Sequence, residues 1–313
     1  MTEDARVILV TGASSGIGRA TAHALARRGD HLVLLARAEQ PLRDTAGECE
    51  RAGAAGVRVM TADVADQAQL DAVVRDVEEG LGAIDAVVNC AGVVAYGDFV
   101  DIPSEVFDGV LKTNVIGSAN VARSVLPGMR ERGRGSLVLV GSVIGHIAVP
   151  RMSPYVLSKW AIRSLARELQ LEHRSYPEIN VSYVAPGSVD TPIYLLGANY
   201  SGYVGRPPPP VISPERVAQA IVTVLERPRQ RVDVGAANAL MRLGFSLTPK
   251  LFDILVGPLS AVAALDQEEL GPGPGNVLTP RPELNRLLGQ QGSSVLATAK
   301  AVWRQGSRLI RRP

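Results

Sequence analysis

Cysteine is almost missing from this 313-residue chain, which has only Cys49 and Cys90, far apart and without the spacing of metal ligands. That excludes a disulfide framework, gives no reason to expect a bound metal, and fits a reducing compartment. A charge excess of either sign is missing too: 33 Lys and Arg face 31 Asp and Glu, for a net charge of +2. So even a balance makes no case for a nucleic-acid partner. Nor is there an unbroken apolar run long enough to span a bilayer. The apolar stretch "ALMRLGFSLTPKLFDILVGPLSAVAAL" is interrupted by Arg242, Lys250, Asp253 and two prolines, so a transmembrane helix is not expected there. The first apolar run, "RVILVTG", starts within a few residues of Met1 and reads as a strand. A secretory leader is therefore not expected, and the expected location is the cytoplasm. Internal repeats are also absent.

What the chain does have is an apolar fraction of 46%, ample for a core, and a regular alternation. Up to about Gly235, β-branched runs ("RVILVTG", "HLVLLAR", "GVRVMTADV", "IDAVVNCAG", "GSLVLVGS", "NVSYVAPG", "RVDVG") alternate with helical patterns. This is the signature of βαβ units and a parallel sheet covered on both faces. In "QAQLDAVVRDVEEGL", Leu70, Val73, Val74, Val77 and Leu81 recur at steps of three and four, which predicts an amphipathic helix. "SPERVAQAIVTVLERP" predicts another, capped by Ser213, with proline at the first helical position and Pro228 closing it. Residues of about 190–212 lack periodicity and read as a long loop at the carboxyl edge of the sheet. The expected organisation is a nucleotide-binding catalytic domain over residues 1–235 and an extension over 236–313. The extension holds an apolar segment, the breaker "GPGPG" and a basic tail.

"VILVTGASSGIGRATAHALARRG" places a strand, a glycine-rich turn and a helix in succession. Gly12, Gly16 and Gly18 let the backbone turn tightly and approach a pyrophosphate, whose charge the helix N-terminus near Ile17 would meet. The next strand ends in "LLAR". An acidic residue there would favour NAD by bonding the adenosine ribose, whereas Arg37 suits a 2′-phosphate and so NADP(H).

In "SPYVLSKWAI", Tyr155 and Lys159 lie four positions apart inside a predicted helix, on one face and about one turn apart. Alone, that spacing fits a solvated helix surface as well as a chemical site. Taken together, "TGASSGIG", "NCAG", "KTN", Ser142, "YVLSK" and "APGSVDT" resemble the short-chain dehydrogenase/reductase family in its shorter, single-domain form, over about Arg6 to Gly235. The resemblance implies a doubly wound Rossmann α/β fold, with a seven-stranded parallel sheet in the order 3-2-1-4-5-6-7 and helices on both faces. It implies Tyr155 as general acid/base, Lys159 lowering the phenol's pKa and holding the nicotinamide ribose, Ser142 bonding the substrate oxygen, and Asn114 linking the lysine to solvent through water. An unperturbed phenol, with a pKa of about 10, is a poor proton donor and acceptor near neutrality.

For the cofactor, the resemblance implies contacts along the loop at Gly12, Ser14, Ser15, Gly16, Ile17 and Gly18, with Arg37 beside them. It adds Asp63 and Val64 at the adenine, Asn89, Ala91 and Gly92 beneath the cofactor, and Tyr155 and Lys159 at the ribose. Pro186, Gly187, Val189 and Thr191 would meet the nicotinamide carboxamide. Cys90 stands where many relatives have a second asparagine, and reads as a buried small side chain.

The implied activity is hydride transfer between NADP(H) and a carbonyl or secondary alcohol. The competing reading is a non-catalytic NADP-binding regulator or scaffold. The loop's Ile193, Tyr194, Leu195, Leu196, Tyr200 and Tyr203 either favour an apolar small-molecule substrate, lipid-like in the extreme, or pack the loop against its own domain. A homo-oligomer is expected. In the tail, Val295, Leu296, Ala299, Val302, Trp303, Leu309 and Ile310 share a helical face opposite Lys300, Arg304, Arg308, Arg311 and Arg312. That face suits peripheral contact with a membrane, or docking on this chain's own extension or a partner subunit.

Overall fold

The computed structural model describes residues 5–292. The β-branched runs become strands β1 (Val7–Thr11), β2 (His31–Ala36), β3 (Gly56–Thr61), β4 (Ala86–Asn89), β5 (Arg134–Val140), β6 (Glu178–Pro186) and β7 (Arg231–Val234). They join in one sheet, β3-β2-β1-β4-β5-β6-β7, with every neighbouring pair parallel. This is the doubly wound fold that the sequence predicts.

Parallel neighbours need crossovers, and these are helices α1 (Gly16–Ala26), α2 (Glu39–Arg51), α3 (Gln67–Gly80), α4 (Ser104–Leu111), α5 (Gly117–Arg132), α6 (Ser153–Glu172) and α7 (Pro214–Glu226). Successive strand residues point to opposite faces, so two cores form. Leu9, Val33, Val87 and Leu137 pack with Leu70 and Val77 of α3, Val121 and Met129 of α5 and Ile162 of α6. Ile8, Val10, Leu32, Leu34, Val88 and Val138 pack with Leu25 of α1, Leu42 of α2 and Ile221 of α7. Each such side chain contributes about 1.5–3 kcal/mol of burial. As the sequence predicts, Ser213 caps α7, its hydroxyl accepting from Arg216 N at 3.4 Å.

Residues 190–212 are less irregular than their sequence implies. Ile193–Leu196 form a short helix, Ala198–Asn199 pair with Ala95–Tyr96, and Val211–Ile212 pair with Ser188–Val189. Pairs this short are held by tertiary contact and leave no periodic trace. The extension opens with two helices, α8 (Ala237–Leu247) and α9 (Pro249–Ala263), joined edge to face by Phe245 and Phe252 at 5.3 Å. Trp160 of α6 meets Phe245 at 6.1 Å. The strand Leu265–Glu269 then pairs antiparallel with Tyr203–Gly205, and residues beyond it return across the carboxyl edge of the sheet.

Candidate active site

The turn between β1 and α1 is shaped by missing side chains. Gly12 has φ +64°, and a Cβ there would lie 2.9 Å from Ala91 N; a Cβ on Gly18 would run into Gly12 O. The turn thus draws β1, α1 and the chain after β4 together and sets the N-terminus of α1 at a cleft. Gly12, Ser14, Ser15, Gly16, Ile17, Gly18, Arg37, Asp63, Val64, Ala91, Gly92 and Thr191 line that cleft. A glycine cradle at a helix N-terminus, with an arginine at the next strand end, fits a dinucleotide.

Asn89 does not line the cleft but lies under it, 3% exposed. Its Oδ1 accepts from Thr11 Oγ1 at 2.6 Å, and its Nδ2 donates to Ser118 Oγ at 2.9 Å. Thr11 Oγ1 in turn accepts from Ala91 N at 3.1 Å, and Ser118 Oγ donates to Asn114 O at 2.6 Å. One buried network therefore ties β1, β4 and α5 to the cleft floor.

Asn114 sits in a π-helical turn, Lys112–Ile116, between α4 and α5, the kind of widened turn that often marks a functional site. Its Oδ1 accepts from Val93 N at 2.8 Å, while Nδ2 donates to Val93 O and Ser158 Oγ, both at 2.9 Å. Ser158 Oγ donates to Tyr155 O at 2.7 Å. Asn114 thus fixes the first two turns of α6, where Tyr155 and Lys159 stand. A Cβ on Gly92 would lie 3.4 Å from Asn114 Oδ1 and 3.8 Å from Lys159 Nζ. This puts the asparagine and lysine behind Gly92, which lines the cleft, whereas Asn114, Ser142, Tyr155 and Lys159 are not themselves in its lining.

Lys159 is 5% exposed; its ammonium donates to Val140 O at 3.1 Å and lies 5.5 Å from the Tyr155 ring centre. Burial lowers its pKa to about 8. Burial also pushes the Tyr155 phenol upward, helped by the nearby Tyr194 and Tyr183 phenols, while a hydrogen bond with Ser142 pulls it back. The protein alone thus holds this phenol protonated, against the lowering implied for Lys159, because desolvating phenolate outweighs the groups that favour it. Ser142 follows β5, and its Oγ accepts from Ile144 N at 3.2 Å. Tyr183 clamps its backbone, donating from Oη to Ser142 O at 3.1 Å and accepting from Ser142 N at 3.3 Å.

Pro186, Gly187 and Val189 stand behind the cleft wall rather than in its lining. Gly187 N donates to Val234 O at 2.8 Å, and Val189 pairs with Ile212. They place Thr191, which does line the cleft. Burial pushes the Cys90 thiol up to about 12, so it is no reactive thiolate.

Three features had no signal in the sequence. Tyr183 reads as an ordinary strand residue. Tyr96, whose pKa burial drives upward, lies close enough to Tyr194 and Tyr155 for their charges to act on it. Asn276, Pro280, Arg281 and Asn285 of the extension line the cleft, although no motif marks them.

Fold and cleft define a nucleotide-binding α/β protein of Rossmann type. The model of the short chain dehydrogenase family matches residues 6–195, and the chain belongs to the short-chain dehydrogenase/reductase family. A short-chain dehydrogenase from Streptomyces avermitilis has a similar structure (TM-score 0.69, 30% identity, 81% of this chain and 97% of that one). So does an alcohol dehydrogenase from Thermococcus sibiricus complexed with 5-hydroxy-NADP (TM-score 0.62, 30% identity, 74% and 94%). The 3-ketodihydrosphingosine reductase of Bos taurus is 34% identical over 189 residues, which are 59% of this chain but only 57% of that protein.

Proposed function

We propose that the protein is an NADP(H)-dependent oxidoreductase acting on the carbonyl or secondary alcohol of an apolar, lipid-like substrate. The convergence of Ser142, Tyr155 and Lys159 beside the glycine-lined cleft carries this reading. Bound nicotinamide supplies or accepts the hydride. In the reducing direction, the Tyr155 hydroxyl hands its proton to the substrate oxygen, and Ser142 Oγ donates a hydrogen bond to the same oxygen as charge develops there. Lys159, as a cation, stabilises the phenolate left behind. Arg37 supports the choice of NADP(H), as does the 5-hydroxy-NADP held by the Thermococcus sibiricus relative.

The test is NADPH oxidation, followed by absorbance, with a panel of apolar ketones. Lys159 is cationic below its pKa and loses that charge as pH rises through about 8. The reductive kcat/KM is therefore expected to fall above about pH 8, approaching tenfold per pH unit. A profile flat to pH 10 would separate Lys159 from the chemistry. No turnover across the panel would count against the enzymatic reading.

An apolar substrate is supported by Ile193 and Leu196 in the cleft lining, by Tyr96 and Tyr194 beside Tyr155, and by the ketone for which the Bos taurus relative is named. The same reading extends to peripheral membrane contact. Among the described residues no helix is long and apolar enough to cross a membrane. Yet α8 and α9 expose Leu240 (74%), Leu247 (73%), Ile254 (69%) and Leu259 (61%), a patch suited to lying in a bilayer interface. The basic tail face lies outside the described residues. The full chain is expected to co-sediment with anionic vesicles, less so at high salt, and Leu247→Gln with Ile254→Gln to lower the bound fraction several-fold. Equal sedimentation of both forms, or none, would reject this contact.

A further inference from the structure

The extension does not end at the α8–α9 pair. After Glu269 the chain crosses the cofactor cleft and is tied down on both sides of it. On one side, Asn199 and Gly273 exchange backbone hydrogen bonds at 2.8 and 2.9 Å, and Asn276 N donates to Leu196 O at 2.8 Å. Val277, 3% exposed, is buried among Val93, Val106 and Val110. On the other, Gly16 N donates to Arg286 O at 3.0 Å, Asn285 Nδ2 to Ser14 Oγ at 3.1 Å, and Gln290 N to Asp190 Oδ1 at 3.1 Å.

Arg37 marks where this strap begins its crossing. Its Nη2 donates to Asn276 O at 2.6 Å and its Nη1 to Val277 O at 3.3 Å. Residues 278–284 must therefore run from Arg37 at the end of β2 to Ser14 and Gly16 in the phosphate loop. In a dinucleotide-binding cleft that path passes the adenosine ribose. Arg281 is midway along it and lines the cleft. Its guanidinium is lightly engaged: its Nε is 3.9 Å from Glu283 Oε1, with the two side chains 49% and 63% exposed, a pairing of little worth in water. Arg37, for its part, spends both Nη groups on neutral carbonyls, which leaves its charge uncompensated by them. Asn276 Oδ1, buried at the same end, has no hydrogen-bond partner among the described residues.

We propose that residues 273–291 form the outer wall of the cofactor site and that Arg281, which lines the same cleft as Arg37, is a second receptor for the adenosine 2′-phosphate. This rests on the NADP(H) reading above and deepens it. Two guanidiniums neutralise a doubly charged phosphate better than one, and the contacts that tie the strap down keep Arg281 at the cleft.

The experiment compares NADPH and NADH dissociation constants, by nicotinamide fluorescence, for the wild-type chain, Arg281→Ala, Arg281→Lys and Arg281→Glu. Hydrogen exchange of residues 273–291 is followed with each cofactor. Arg281→Ala is expected to weaken NADPH about tenfold and NADH less than about twofold, since only NADPH carries the phosphate. Arg281→Glu should lose more, Arg281→Lys should recover part, and NADPH should protect 273–291 more than NADH does. Because Arg281 is exposed, these variants should keep the wild-type melting temperature. A wild-type preference for NADPH that survives Arg281→Ala unchanged would overturn the role of Arg281 and leave the NADP(H) reading standing. A wild type that binds both cofactors equally would overturn both. Faster exchange in 273–291 on NADPH binding would show that the cofactor displaces the strap, and would also overturn the proposal.

Discussion

Tyr155→Phe is expected to bind NADPH as the wild type does and to lose at least about two orders of magnitude in turnover, the usual scale of a general acid. The hydroxyl is the only group removed, and the phenyl ring keeps its place beside Lys159. Lys159 Nζ remains anchored on Val140 O, so the geometry beneath the ring has no reason to move. What disappears is the proton donor that burial keeps loaded, together with its hydrogen bond to Ser142. Measured kcat with NADPH and any accepted ketone, beside a fluorescence titration of NADPH, checks the expectation. Turnover within a few-fold of wild type would remove Tyr155 from the role of acid. Loss of NADPH binding would instead make it a structural support of the cleft.

Arg37→Ala is expected to weaken NADPH by about ten- to a hundredfold and to spare NADH. A hydrogen bond between charged partners contributes about 1.5–3 kcal/mol, which is one to two powers of ten in affinity. Burial already lowers the pKa of this guanidinium, with Asp63 partly opposing, so a doubly negative phosphate would relieve a real desolvation cost. The same side chain also holds the strap through the carbonyls of Asn276 and Val277. Titration with both cofactors separates the two duties: selective loss of NADPH points to the phosphate. Equal loss for both would mean that Arg37 works through the strap alone.

Much of this protein could be read from local patterns, for a physical reason. Alternation of β-branched runs with three-and-four periodicity reports how each segment buries one face, and the seven-stranded parallel sheet follows from it. Glycine spacing between β1 and α1 is a backbone requirement, and Tyr155 and Lys159 share a face because an α-helix puts them there. What local patterns do not record is contact between distant segments. Arg37 meets Val277 and Asn276 across 240 and 239 positions, through backbone carbonyls that any residue types could supply. Tyr183, a strand residue by pattern, becomes the clamp on Ser142 only because β5 and β6 are neighbours. The short strands within 190–212 exist through partners elsewhere in the chain. Burial, a property of the assembled fold, decided the raised pKa of Tyr155 and the depressed pKa of Lys159. The sequence by itself determined the sheet and the loop whose backbone suits a phosphate; the tertiary structure alone decided what closes over that loop, because backbone hydrogen bonds and desolvation leave no residue pattern to read.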